Sequence, residues 1–266
     1  MLAYATINGL SLRYFDSGDK GDAVVFQHGL AADHTQCLEV FSGLDGLRRI
    51  TLESRGHGAS ALGDTQALTI PVLADDLLRL LDRLGIDSAW FGGISMGAAL
   101  VAHLASAHPE RVRGLLLVRP AWFDAPMPVN LWCLLALAAL MRQYPPAQAR
   151  ALFLASDSYR EIAAASPDNA AVQLALLERD DPEALAAVLS GIICCDPGVA
   201  PATIAGLDIP VAIVGNEQDP LHPYALARRW AAALPQASLS LVPSRSQDRA
   251  RHFSEIGAHL RALCAG

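Results

Sequence analysis

The chain has 266 residues, more than half of them apolar, and a formal net charge of −7. That length suits one large α/β domain, or one domain with an insertion, and the composition allows a sizeable buried core. The acidic balance argues against nucleic acid as a partner. The richest apolar run, Leu131 to Met141, is about eleven residues long, whereas a bilayer crossing needs roughly 20.

The opening, Met1-Leu2-Ala3-Tyr4-Ala5-Thr6, lacks a basic region and an apolar run, so no signal peptide is expected and the reading is cytoplasmic. Cys37, Cys133, Cys194, Cys195 and Cys264 are scattered, odd in number and without a C-x-x-C pair, as buried or incidental thiols would be. No zinc or haem spacing appears, and no glycine-rich phosphate loop, so neither metal nor cofactor is expected.

In chain order, residues 3–7 and 10–15 read as two short strands around Asn8-Gly9, a strong hairpin signal. Ala23 to Gln27 is apolar on both faces, which suits an interior strand covered by helices on each side. Arg48 to Leu52 is the next strand, ending in the glycine-punctuated loop from Glu53 to Ser60. From Ile70 to Leu84 the apolar residues Val72, Leu73, Leu77, Leu80, Leu81 and Leu84 recur at helical spacing, and Gly85 follows as a C-cap. Ser88 to Gly92 reads as a strand, Ser95 to Ala107 as a helix, and Val112 to Val118 as a strand.

The alternation then breaks. Between Pro120 and Asp208 the pattern gives helices near 130–142, 146–155, 158–165, 168–179 and 182–191, punctuated by prolines. Pro210 to Gly215 resumes the strands, followed by a helix over 223–233, a strand from Ser238 to Val242 and a helix over about 250–264. Strands alternating with helices indicate a mostly parallel, doubly wound sheet, here carrying a helical insertion.

Ligands of such sheets bind outside the carboxyl ends of the strands. Those ends are His28-Gly29-Leu30, the Glu53–Ser60 loop, Gly93-Ile94-Ser95-Met96-Gly97, Arg119-Pro120, and Gly215-Asn216-Glu217-Gln218-Asp219. A serine with glycines two positions on either side fits a sharp strand-to-helix turn. Taken alone, that pattern is equally a small-residue turn packing a helix on a sheet. A serine nucleophile needs a base, a carboxylate to orient the base, and donors for the oxyanion. The N–H of Met96 lies at the helix start and that of Leu30 on the His28-Gly29 turn.

Four motifs occur in order: His28-Gly29, Arg55-Gly56-His57-Gly58-Ala59-Ser60, Gly93-Ile94-Ser95-Met96-Gly97, and Gly215-Asn216-Glu217-Gln218-Asp219-Pro220. In these the chain resembles the α/β-hydrolase superfamily of serine hydrolases over its whole length. The resemblance implies a core of residues 1–119 and 209–266 and a helical lid over 120–208. It implies Ser95 as nucleophile, Asp219 as acid, and the N–H groups of Leu30 and Met96 as oxyanion hole. Asp124, after the preceding strand, is the alternative acid.

The histidine departs from the family pattern. Relatives place Gly-His a few residues past the last strand, where this chain has Pro243-Ser244-Arg245-Ser246-Gln247. His252 is the first histidine after that strand and is the expected base. The alternatives are His222, which follows Asp219 closely, and a broken triad with Ser246 or Gln247 in the histidine's place. His259, about two helical turns beyond His252, lies farther from the sheet's end. His28 is read as shaping the oxyanion turn and His57 as bracing the fold. Glu53 and Arg55 are expected to form or join an ion pair.

The expected substrate is a small molecule of small to medium size and partly apolar character, an ester, thioester or lactone, with Trp122, Phe123, Trp132 and Arg119 as candidate binding residues. Arg119 would hold a substrate carboxylate or pair with Asp124. The resemblance disfavours the dehalogenase and epoxide hydrolase branches, which look to require aspartate at the nucleophile position. It leaves C–C bond hydrolysis and cofactor-free perhydrolysis as alternatives, with a non-catalytic small-molecule receptor as a third. The chain is expected to be monomeric or homodimeric.

Overall fold

A computed structural model describes residues 1–265. The strands are β1 (Leu2–Ile7), β2 (Leu10–Asp16), β3 (Ala23–Gln27), β4 (Arg48–Leu52), β5 (Ala89–Ile94), β6 (Val112–Val118), β7 (Val211–Gly215) and β8 (Ala237–Leu241). They form one sheet in the order β1-β2-β4-β3-β5-β6-β7-β8. β1 and β2 pair antiparallel, as do β2 and β4, and the remaining pairs are parallel.

The apolar strands expected from the sequence are buried on both faces. Val24 and Phe26 of β3, Leu116 and Val118 of β6, and Val214 of β7 pack on one face, against helices α1 (His34–Val40) and α11 (Arg249–Ala265). Val25, Leu115, Leu117 and Ile213 point to the other, against α2 (Ile70–Arg83), α3 (Met96–Ala107) and α10 (Tyr224–Ala233). This period-2 division is what lets near-continuous apolar runs sit inside a helix-covered sheet.

α2 shows why the local sequence folds as it does. The Thr69 hydroxyl caps its first turn by accepting from the Val72 N–H. At its other end Gly85 takes a positive φ of 68°, Gly85 N–H donates to Asp82 O, and Ile86 N–H donates to Leu81 O. That is a Schellman closure, and glycine adopts it without a Cβ penalty.

The connection from β6 to β7 holds α4 (Trp132–Gln143), α5 (Pro146–Leu154), α6 (Asp157–Ala165), α7 (Pro167–Leu176), α8 (Pro182–Cys194) and α9 (Pro201–Ala205). Helices α1 and α9 were not anticipated. Each is short, seven and five residues, and too brief to show a clear apolar period. No helix among the described residues is long and apolar enough to cross a membrane. All five cysteines are free; Cys37 and Cys133 are buried and Cys194 is exposed.

Candidate active site

The turn after β5 is built around contacts that only glycine allows. A Cβ on Gly93 would lie 2.2 Å from the Gly97 carbonyl, and one on Gly97 would lie 2.2 Å from the Gln27 carbonyl at the end of β3. This close approach lets α3 start directly at the strand end. Ser95, between them, has φ 57° and ψ −112°, a conformation costly for a residue with a side chain. Its N–H is held by the Val118 carbonyl at 3.0 Å.

His222 faces Ser95. Its Nε2 lies 2.8 Å from Ser95 Oγ, and its Nδ1 lies 2.9 and 3.0 Å from the two oxygens of Asp219. A tight turn produces this arrangement: His222 N–H donates to the Asp219 carbonyl at 3.1 Å, and Pro220 supplies the fixed φ that favours such a turn. Three residues of spacing therefore fold the ring back over the carboxylate. Asn169, on α7, fixes the turn by accepting from the Leu221 N–H at 3.1 Å.

This geometry corrects the expectation for His252. That residue is on the first turn of α11, as one reading of the sequence allowed, but it is fully buried there. Its Nδ1 bonds the Pro243 carbonyl at 2.7 Å, and among the described residues its Nε2 has no partner. Burial pushes its pKa down to about 4. His252 has no hydrogen bond to Ser95 or Asp219, because its ring is tied to the loop before its own helix.

Arg119 also departs from expectation. It does not pair with Asp124; its Nε and Nη2 donate to Asp219 Oδ2 at 2.8 and 2.5 Å. Asp124 is exposed and lies 3.4 Å from Arg229 instead. Burial would raise the Asp219 pKa, but His222 and Arg119 beside it outweigh that and hold the carboxyl well below the usual range. For His222, burial and the Arg119 cation outweigh the pull of Asp219, so its pKa is lowered and the ring is neutral at pH 7.

The Leu30 N–H lies on the turn after β3. Gly29 N–H donates to Gln36 Oε1 at 2.7 Å, which ties that turn to α1. His28 braces it from below: its Nδ1 bonds the Gly29 carbonyl at 2.8 Å and its Nε2 accepts from the Ser54 N–H at 3.1 Å. Among the described residues no backbone carbonyl outside the helices and strands takes the N–H of Leu30 or Met96. The N–H of Met96 opens α3, where a helix has no internal acceptor for it.

Behind the site, Arg55 and Glu53 each join an ion pair, though not with each other. Arg55 Nε and Nη2 lie 2.5 and 2.8 Å from buried Asp76, and Glu53 is bonded by Arg13 and His34. His57 packs against His28 with the rings tilted by 45° and their centres 5.0 Å apart, and it bonds the Arg55 carbonyl.

A cavity opens onto Ser95 and His222. Its floor includes Leu30 and Arg119. Helical residues of the β6–β7 connection, among them Leu134, Val172, Leu176 and Leu189, line its walls. Trp122 also lines it. Phe123 and Trp132 do not: Phe123 packs edge-on against Trp230, and Trp132 is largely exposed, its indole N–H on the Met127 carbonyl. Sequence reasoning missed Gln36, Asn169 and Arg245 as parts of this site. The first two carry no motif, and Arg245 drew notice only as part of the loop without a histidine.

Known proteins share this framework. A dihydrolipoyllysine-residue acetyltransferase component of an acetoin cleaving system from Cupriavidus necator is 33% identical over 123 residues, 45% of this chain and 32% of that protein. The match thus spans about a third of that relative's length. A 3-oxoadipate enol-lactonase from Acinetobacter baylyi is 36% identical over 104 residues, 39% of this chain and 38% of that protein. The crystal structure of the enol-lactonase from Burkholderia xenovorans superimposes with a TM-score of 0.73 at 24% identity, covering 99% of this chain and 98% of that one, which establishes a shared fold. A family model described as alpha/beta hydrolase fold matches residues 22–245, so the chain belongs to the alpha/beta hydrolases.

Proposed function

We propose that the protein is a serine hydrolase that cleaves an ester, thioester or lactone of a small to medium, partly apolar substrate through an acyl-enzyme. The observation that carries this reading is the 2.8 Å contact between His222 Nε2 and Ser95 Oγ. Ser95 Oγ attacks the substrate carbonyl carbon while His222 Nε2 takes its proton. Asp219 accepts from His222 Nδ1–H, fixes the tautomer and stabilises the imidazolium. The N–H groups of Leu30 and Met96 receive the oxyanion. His222 then returns the proton to the leaving oxygen or sulfur, and water, activated by the same imidazole, releases the acyl group.

The helices of the β6–β7 connection act as a lid that supplies apolar walls and excludes water from this chemistry. The loop after β8 lacks the family's histidine, and the contact of His222 with Ser95 favours an enzyme over a receptor with a degenerate triad. The reading also leaves the protein as a cytoplasmic enzyme needing no cofactor.

Fluorophosphonate labelling with adduct mapping, alongside kinetics on short p-nitrophenyl esters, tests the reading. Ser95 carries the label, and Ser95→Ala and His222→Ala each lower kcat by about 10⁴-fold or more. His252→Ala retains turnover per folded molecule. An unlabelled Ser95, or full activity in His222→Ala, overturns the assignment.

A further inference from the structure

Arg245 stands in the loop after β8 and lines the same cavity as Ser95 and His222. The other guanidinium groups around the site are engaged: Arg119 with Asp219, Arg249 with Glu39, and Arg229 with Asp124. The Nε of Arg245 is buried with no hydrogen-bond partner among the described residues. A buried, unpaired donor on a cation costs stability. Burial, then the neighbouring Arg119 cation, pushes its pKa down, the direction expected of a charge that lacks its counter-ion. The carboxylate sharing the cavity is Asp168, and one of its oxygens already accepts the Ser246 N–H at 2.6 Å. Glu39, beyond, is held by Arg249. The cavity that both residues line has an apolar part that includes Leu131, Val172 and Leu221.

We propose that the substrate carries a carboxylate, separated from the scissile carbonyl by a short apolar spacer, and that Arg245 binds it by a charge-assisted hydrogen bond through the guanidinium. This rests on the serine hydrolase reading above. Arg119, the candidate that the sequence suggested for this task, is taken by Asp219, and Arg245 supplies the free fork in its place. Arginine suits the role because its planar donors match a carboxylate bidentately.

The test compares matched aryl esters with and without a carboxylate. One series places it in the acyl part, as phenyl hemiesters of glutarate and adipate against their methyl-capped diesters. The other places it in the leaving group, as 4-carboxyphenyl butyrate against its methyl ester. The wild-type protein prefers the anionic member of one series in kcat/KM. Arg245→Gln reduces that preference by about 10- to 100-fold, the loss of a hydrogen bond to a charged group, mainly through KM. Arg245→Lys restores part of it. Asp168→Asn retains or increases the preference, whereas a purely structural Arg245–Asp168 contact would make both variants lose it alike. No preference in either series, or a preference that Arg245→Gln leaves intact, overturns the inference while a labelled Ser95 keeps the hydrolase reading. Failure of wild-type Ser95 to label, with no ester turned over, overturns both.

Discussion

His222 holds its place through one turn and two neighbours. Nδ1 faces Asp219, and Arg119 Nη2 lies 3.1 Å from the same nitrogen while donating to the same carboxylate. With Nδ1 protonated toward Asp219, Arg119 meets the histidine as a like charge rather than as a hydrogen-bond partner. It therefore opposes imidazolium formation and lowers the pKa along with burial. In the proposed mechanism His222 acts as neutral imidazole, so the acid limb of kcat/KM is expected below the ordinary histidine value of about 6.5. Replacing Arg119 by Gln removes the opposing cation and leaves Asp219 less screened, so the limb moves to higher pH, by about one unit. A pH profile of kcat/KM for both proteins checks this; an unmoved limb would show that Arg119 does not tune the base. Ser95 and Asp219, which the fold brings together through His222, stood out in the sequence because each sits in a short motif at a strand end. His222 stood only as an alternative to His252, since residue spacing alone makes Asp219 and His222 look too close. The turn that brings them into register depends on Pro220 and on Asn169, which is 50 residues upstream in sequence and becomes adjacent only through the fold.

At the scale of elements, the β5–α3 junction is a packing problem solved by removing side chains. Both Gly93 and Gly97 are in contact distance of backbone rather than of flexible side chains, so nothing nearby can yield cheaply. Gly97→Ala places a methyl against the Gln27 carbonyl and must displace either α3 or the end of β3, which also carries the Gly29–Leu30 turn. It is expected to lower stability by about 1–3 kcal/mol, the usual cost of overpacking, and to cut kcat in the molecules that remain folded. Urea unfolding and active-site titration separate the two effects. A variant as stable and active as the parent would mean that the close approach is not needed. The sheet strands and the long helices were readable from periodicity because their apolar faces follow one rule along many residues. The short α1 was not, although it supplies Gln36 to the turn after β3. Its first residues, His34-Thr35-Gln36, are polar, and the buried His34 bonds Glu53 at 2.5 Å. That contact joins the start of α1 to the loop after β4 and leaves no local signature.

Across the whole molecule, the carboxyl ends of β3, β5, β6 and β7 deliver His28, Ser95, Arg119 and Asp219 to one crevice, and the loop after β8 adds Arg245. Building this crevice buries histidines in neutral form. His28 uses Nδ1 toward the Gly29 carbonyl and Nε2 to accept from Ser54, so a second ring proton would confront the Ser54 N–H. His57 and His252 bond one backbone carbonyl each, and their Nε2 atoms have no partner among the described residues. Burial lowers all three, His57 to about 3 and His252 to about 4. A depressed folded pKa means that the unfolded chain takes up protons first as pH falls. Stability is then fully present above about pH 6.5 and is lost as pH falls toward the folded values, each group adding a slope of up to about 1.4 kcal/mol per pH unit. Glu53 works in a lower window. Burial would raise its pKa, but Arg13, the Ala59 N–H and His34 outweigh it and bring it to about 2, so its contribution is lost below roughly pH 4.5. The melting temperature should therefore begin to fall near pH 6.5, well before carboxylates alone would act. His57→Gln, which cannot take a proton, should flatten the decline between pH 6.5 and 4 while leaving the lower limb in place. Thermal unfolding from pH 8 to 3 measures both limbs. A melting temperature that is level from pH 7 to 5 would show that these histidines accept protons within the fold, and the neutral, bracing role assigned to His28 and His57 beneath the turn after β3 would fall with it.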